Sequence, residues 1–244
     1  MSLATEVQEL AIVLSAKEHD PTLLNPEFLR HSGIVPKEWE LARDPVRTTR
    51  VSQVAFTNGC SVVAQTDRIV FTETLGAKPL GDIITPQIAR KYADILSYVD
   101  YQGVGVNFRS FVAFKGDADA PRRYLATHLL NAAPWQELGD KPMRASLNLV
   151  FTFGDKRLTL NVSEASLQPS PEKSVPVILC TGNFSKDLAK LEREERLQKV
   201  GETVEEWMTD LENYKKVTGQ LLDKEQDSFV ALSSLLPAPE LAEV

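Results

Sequence analysis

Cysteine is scarce, with only Cys60 and Cys180 in 244 residues, each inside an apolar stretch that reads as strand. Such a pair builds no disulfide framework and no Cys-based metal site, so both read as small buried hydrophobes. Histidine is as sparse: His19, His31 and His128 lie in separate segments without ligand spacing, and no metal is expected. No window approaches the ~18 apolar residues of a membrane span. The first residues, Met1 to Glu6, lack the positive region of a secretory signal, and the apolar run from Leu10 to Leu14 is too short for one. These absences point to a cytoplasmic chain, in which the glycosylation sequons Asn161-Val162-Ser163 and Asn183-Phe184-Ser185 carry no weight.

Positive charge is not in excess either. Lys and Arg number 27 against 34 Asp and Glu, a net charge of −7. Residues 1–186 hold 20 of each sign, whereas residues 187–244 hold 7 basic against 14 acidic, so the whole imbalance lies in the tail. A nucleic-acid surface needs a clustered basic face, which a neutral body with an acidic tail does not offer. The common catalytic and cofactor motifs are missing too: no phosphate-binding loop, nucleophile elbow, zinc-protease helix, paired C-x-x-C or EF-hand. Gly103-Val104-Gly105 has Phe108 where a dinucleotide fingerprint needs glycine, and it opens a strand rather than a helix. No cofactor is expected.

What remains is an ordinary globular composition, 43% hydrophobic and 25% charged, long enough to bury about 70–75% of its unfolded surface. Residues 6–15 read as an opening strand. A Pro-punctuated stretch over 20–50 follows, with Asn25 as N-cap and Pro26 at the first position of a short helix, and with Trp39, Arg43, Arg47 and Arg50 on a connection long enough to be functional. Val51–Thr57, Cys60–Gln65 and Arg68–Thr74 form a meander, its first turn at Asn58-Gly59, a pair that tolerates the positive φ of a type I′ turn. Thr85-Pro86 opens a helix to about Val99. Val104, Val106, Phe108, Val112 and Phe114 then share one strand face, with Asn107, Arg109 and Lys115 on the other and Ser110 as the polar exception among the apolar side chains.

Asp119 and Pro121 start a helix running to about Asn131. Ala145–Phe153 and Leu158–Val162 alternate around Gly154-Asp155 as a second hairpin, and Val175–Thr181 is a final strand that Pro176 assigns to an edge. Hairpin-linked strands with helices between and after them give an α+β fold, mainly antiparallel, built from two three-strand groups with intervening helices and a long C-terminal amphipathic helix. Segments such as Asn25–Arg30, Tyr101–Asn107 and Ser146–Val150 resemble bacterial proteins, cyanobacterial ones among them; the resemblance implies a bacterial source and no site.

Two regions follow from this reading, an α+β body over 1–186 and an acidic helix and tail over 187–244, packed on the body or on a partner. Between Asp187 and Leu222 there is no proline, and Leu197, Val200, Val204, Trp207, Leu211, Tyr214, Thr218 and Leu221 follow steps of three and four, a heptad seam. At ~1.5 Å per residue the helix would extend about 50 Å. Leu188 and Leu191 fall out of phase, which places a bend near Glu194. Phe229, Leu232, Leu235 and Leu236 form a short final apolar segment.

The candidate interaction residues are therefore Leu197, Val200, Val204, Trp207, Leu211, Tyr214 and Leu221, with Arg122, Arg123, Asn107 and Arg109 as anion or ligand contacts. The leading reading is a non-enzymatic subunit or adaptor of a bacterial cytosolic complex, meeting a protein partner or its own copy through the C-terminal helix. An alternative is a small-ligand protein, lipid-binding by analogy, in which the helix grips a curved sheet over a cavity beneath residues 190–215. A further alternative is an enzyme with an unfamiliar site between the 20–50 loop and the Arg122-Arg123 helix.

Overall fold

A computed structural model of the chain describes residues 6–114, 117–131, 133–170, 173–222 and 229–230. The apolar alternation becomes strands where it was clearest: β1 (Val7–Lys17), β3 (Val51–Ala55), β4 (Cys60–Gln65), β5 (Arg68–Thr74), β6 (Asp100–Phe114), β7 (Ser146–Phe153), β8 (Lys156–Ser170) and β9 (Lys173–Asp187). Among the described residues there are also two short strands, β2 (Val46–Arg47) and β10 (Phe229–Val230). All pairings are antiparallel, and nine strands lie side by side in the order β2-β3-β4-β5-β1-β6-β9-β8-β7, while β10 pairs with Phe114 and Ala113 of β6. The strand groups expected from the sequence are thus runs within one continuous sheet, joined at its centre by the β1–β6 pair.

Because side chains alternate along a strand, this sheet has two unlike faces. Leu10, Ile12 and Leu14 of β1, Val106 and Phe108 of β6, Leu158 and Leu160 of β8 and Phe184 of β9 share the buried face. The helices pack there. α1 (Pro26–His31) starts at Asn25, whose Oδ1 accepts the Phe28 amide at 2.8 Å, and seats Leu29 in the core. α2 (Thr85–Ile95) lies on β1 and β5, α3 (Ala120–Tyr124) beside β8 and β9, α4 (Arg193–Glu205) on α2 and β6, and α5 (Trp207–Leu221) on β6 and β9. Among the described residues no helix is long and apolar enough to cross a membrane.

Several local expectations change. The first hairpin does not turn through type I′: only Gly59 has positive φ (85°), Gly59 N–H bonds Phe56 O, and Phe56 N–H bonds Cys60 O, the pattern of a three-residue loop ending in a left-handed glycine. α2 stops at Ile95 rather than Val99, and its first amides, of Ile84 and Thr85, are received by the fully buried Glu73 carboxylate of β5 at 3.0 and 2.9 Å. Asp119 does not cap α3; its two oxygens take the Arg122 guanidinium instead, and the helix continues from Leu125 to Leu129 only as a π turn. β9 is an interior strand, and Pro176 lies one residue beyond Val177, its last register pair with β6, opposite Ser166 of β8.

The expected 50 Å helix is two helices. Residues 187–192 are not helical; Leu188 is buried there and its amide bonds Gln102 O, which accounts for its phase. The second break falls at Glu206, where Lys156 draws in the carboxylates of Glu206 (2.9 Å) and Asp210 (2.8 Å). Phe229 is placed as part of β10, whereas Leu232, Leu235 and Leu236 lie outside the described residues, as does Lys115.

Candidate functional site

The heptad seam faces the chain's own sheet. Val200, Val204, Trp207, Leu211, Tyr214 and Thr218 are buried, and Leu197 and Leu221 are half-buried against the same core. Tyr214 shows how closely the helix and sheet fit. Its ring lies over Gly182 of β9, where a Cβ would come within 2.6 Å of it, and its hydroxyl meets Ser110 Oγ at 2.6 Å and donates to Cys180 O at 2.9 Å. Ser110, the polar residue among apolar neighbours on β6, is therefore the partner of a helix tyrosine. Burial drives the Tyr214 pKa upward, so the hydroxyl stays protonated as the donor this geometry needs. At this point the space between α5 and the sheet is filled by side chains.

Of the four basic or amide candidates, the structure brings two together and sets two apart. Arg122 spends its guanidinium on both Asp119 oxygens, at 2.6 Å each, and on Met143 O. Arg123 pairs with Asp117 at 2.5 Å. Hydrogen bonding from Arg122 holds the Asp119 carboxyl below the usual carboxylate range, and Asp117 is held low by the Asp119 amide and by Arg123. Both guanidiniums are thus engaged by carboxylates of the segment just before them in the chain. Asn107 and Arg109 instead sit side by side on the uncovered face of the sheet.

Among the described residues no helix lies on that face. Its centre is set by register: Ala11 of β1, Asn107 of β6, Asn183 of β9 and Thr159 of β8 lie in one row across four strands, with Glu9, Arg109, Thr181 and Asn161 in the next. Two open depressions, of about 440 and 360 Å³, meet at Asn107. The larger runs over Ser15, Gly103, Gly105, Asn183 and Ser185 towards Arg68 and Lys186. Its floor is hollowed by glycine, since a Cβ on Gly105 would stand 3.1 Å from Asn183 Oδ1 and one on Gly103 would stand 3.3 Å from Lys186 O. The smaller depression lies over Glu9, Ala11, Val70, Thr72 and Thr181.

Electrostatically this surface is neutral and amide-rich. Arg109 pairs with Glu9 at 3.5 Å, Arg68 with Asp67 at 2.6 Å and Lys186 with Asp155 at 2.5 Å. Asn107 Nδ2 donates to Ala11 O at 3.3 Å, whereas Asn183 Oδ1 is buried with no hydrogen-bond partner. Sequence reasoning singled out Asn107 and Arg109 but missed Asn183 and the two glycines. The signal was the alternation that puts Asn183, Thr181 and Ser185 on one face of their strand; the register that sets them beside Asn107 is a long-range property.

His19 and the two cysteines are packed into the core. His19 is buried between Tyr92 OH (2.9 Å) and Gln65 O (3.2 Å), and burial lowers its pKa. The Cys60 and Cys180 thiols are buried and pushed up to about 12 by desolvation, which leaves no thiolate at neutral pH. Trp39 packs edge-on against Phe56 at 5.0 Å, and Arg47 donates to Thr22 O. Among the described residues no group of His, Cys, Asp and Glu is placed to hold a metal ion. No protein-family model matches the chain, and neither does any curated protein.

Proposed function

We propose that this protein is a non-enzymatic interaction subunit of a bacterial cytosolic assembly, and that it docks its partner through the uncovered face of the sheet rather than through the C-terminal helix. The observation that carries this reading is the division of the two faces. Every seam side chain that would serve a helical interface is committed to the chain's own core, while the opposite face offers a broad, neutral surface of Asn, Ser, Thr and Gly around Asn107. Such a surface suits a wet, hydrogen-bonded protein contact, because amide and hydroxyl groups serve as both donors and acceptors.

The test is a pair of charge variants in the full-length protein, compared by affinity capture from cells of its own source. Arg109→Glu sets two carboxylates together on the open face, and loss of specifically captured partners is expected. Met208→Glu, on the solvent side of α5, should leave capture unchanged. The opposite pattern would return the interface to the helix. A second reading, a small polar ligand on the same face, is favoured by the unpartnered Asn183 Oδ1 beside the glycine floor. Ligand-dependent thermal stabilisation that Gly105→Val abolishes would support it.

A further inference from the structure

The two ends of the sheet are treated differently. At one end β2 is two residues long, preceded by Pro45 and set among Arg43, Asp44, Arg47 and Arg50, the devices by which proteins blunt an edge. At the other, β7 runs for eight residues, Ser-Leu-Asn-Leu-Val-Phe-Thr-Phe, with no charge, proline, glycine or register shift, and among the described residues nothing pairs with its outer side. Leu147, Leu149, Phe151 and Phe153 extend the core to this rim and remain half-buried, while Val150 on the other face is 51% exposed. A long, uncharged, partly apolar edge is a template for a further strand.

The hairpin geometry states which backbone groups are free. Phe153 and Lys156 close a two-residue turn at Gly154-Asp155 with Gly154 at φ 61°, so Phe153, Phe151, Leu149 and Leu147 exchange hydrogen bonds with β8. Ser146, Asn148, Val150 and Thr152 therefore turn their N–H and C=O groups outward.

We propose that this edge binds a second copy of the chain: β7 pairs antiparallel with β7 about a two-fold axis near Leu149, making one sheet of two molecules. Ser146 then faces Thr152 of the second copy and Asn148 faces Val150, each pair exchanging its outward groups. The occupant follows from self-complementarity, which a two-fold contact requires. An uncharged strand meets itself without like-charge repulsion. The charges just beyond it are opposite at its two ends: Arg144, paired with Glu164 yet with its side chain 74% exposed, lies before β7, and Asp155, paired with Lys186 yet with its side chain 69% exposed, lies after it, so each has surface left for a second opposite charge. Antiparallel pairing sets Arg144 beside Asp155 of the second copy at both ends of the contact. The apolar rows of the two copies, half-buried in the single chain, meet on the helix-covered face and cover one another. This contact uses the backbone rim of the sheet, which borders the open face, and does not depend on that reading.

Sedimentation equilibrium of the full chain tests it. The wild type is expected at about twice its 27.1 kDa chain mass at micromolar concentration. Val150→Pro removes an outward N–H without breaking a β7–β8 bond, and should yield a monomer with an unchanged circular dichroism spectrum. Arg144→Asp and Asp155→Arg should each weaken the dimer roughly tenfold, and the double charge swap should restore it. A wild type still monomeric at about 100 µM overturns the proposal, and so does a dimer indifferent to both the proline and the charge swap. If Val150→Pro fails to fold, the charge swap decides alone, because both of its residues lie on the surface.

Discussion

At the scale of single residues, the most consequential side chain is Lys156. It stands in the first position after the second hairpin turn, where a sequence reading expects a solvated lysine, yet it is 4% exposed and reaches Asp210 on α5 at 2.8 Å. Burial raises the Asp210 pKa, opposed by the hydrogen bond from Lys156, so the carboxylate depends on that ammonium for its charged form. Removing one partner strands the other. Lys156→Met alone is expected to lower unfolding free energy by about 3–5 kcal/mol, whereas Lys156→Met combined with Asp210→Leu should recover most of that loss, because a well-packed apolar pair avoids the desolvation of both charges. Chemical denaturation of the four proteins of this cycle measures it, and equal losses for the single and double variants would refute the pairing.

At the scale of elements, local pattern was enough wherever a signal is local. The Asn25 cap, the alternation of β6 and the turn at Gly154-Asp155 are each readable within a few residues, and each occurs. What failed was decided by distant partners. Glu73 looks like any strand-end acid, but it is the buried acceptor for the first amides of α2, eleven and twelve residues on, and it also meets Lys78 at 3.1 Å. Glu73→Ala should leave those amides and the positive end of the helix unanswered, costing about 1–3 kcal/mol. Hydrogen exchange should localise the damage to the first turn of α2, and uniform protection along the helix would contradict this role. The C-terminal seam illustrates the same limit. Its side chains pack on the sheet, but the choice between a partner and the chain's own sheet lay in Gly182 and Ser110, whose fit to Tyr214 no pattern in 187–222 contains. The open-face site was half legible for the same reason: Asn107 and Arg109 belong to one strand, while Asn183 joins them only through the β6–β9 register.

At the scale of the whole molecule, the element order strand, helix, meander, helix occurs twice, from β1 to α2 and from β6 to α5, and the two passes meet at the antiparallel β1–β6 pair. One core then runs beneath all the helices, including residues from both passes. The position of β1 in that centre sets a temporal order on synthesis. Its first neighbour, β5, leaves the ribosome some fifty residues after it, but its second, β6, only after α2 is complete. Until then β1 is the rim of a half-finished sheet: α2 covers its apolar face, but the backbone groups that will pair with β6 stand open along its outer side. A fragment ending at Val99 should therefore fold its meander yet self-associate through β1, and added β6 peptide should suppress the association, as read by light scattering. The pairing that unifies the finished protein is, during its birth, the interval in which the nascent chain most needs shelter from its neighbours.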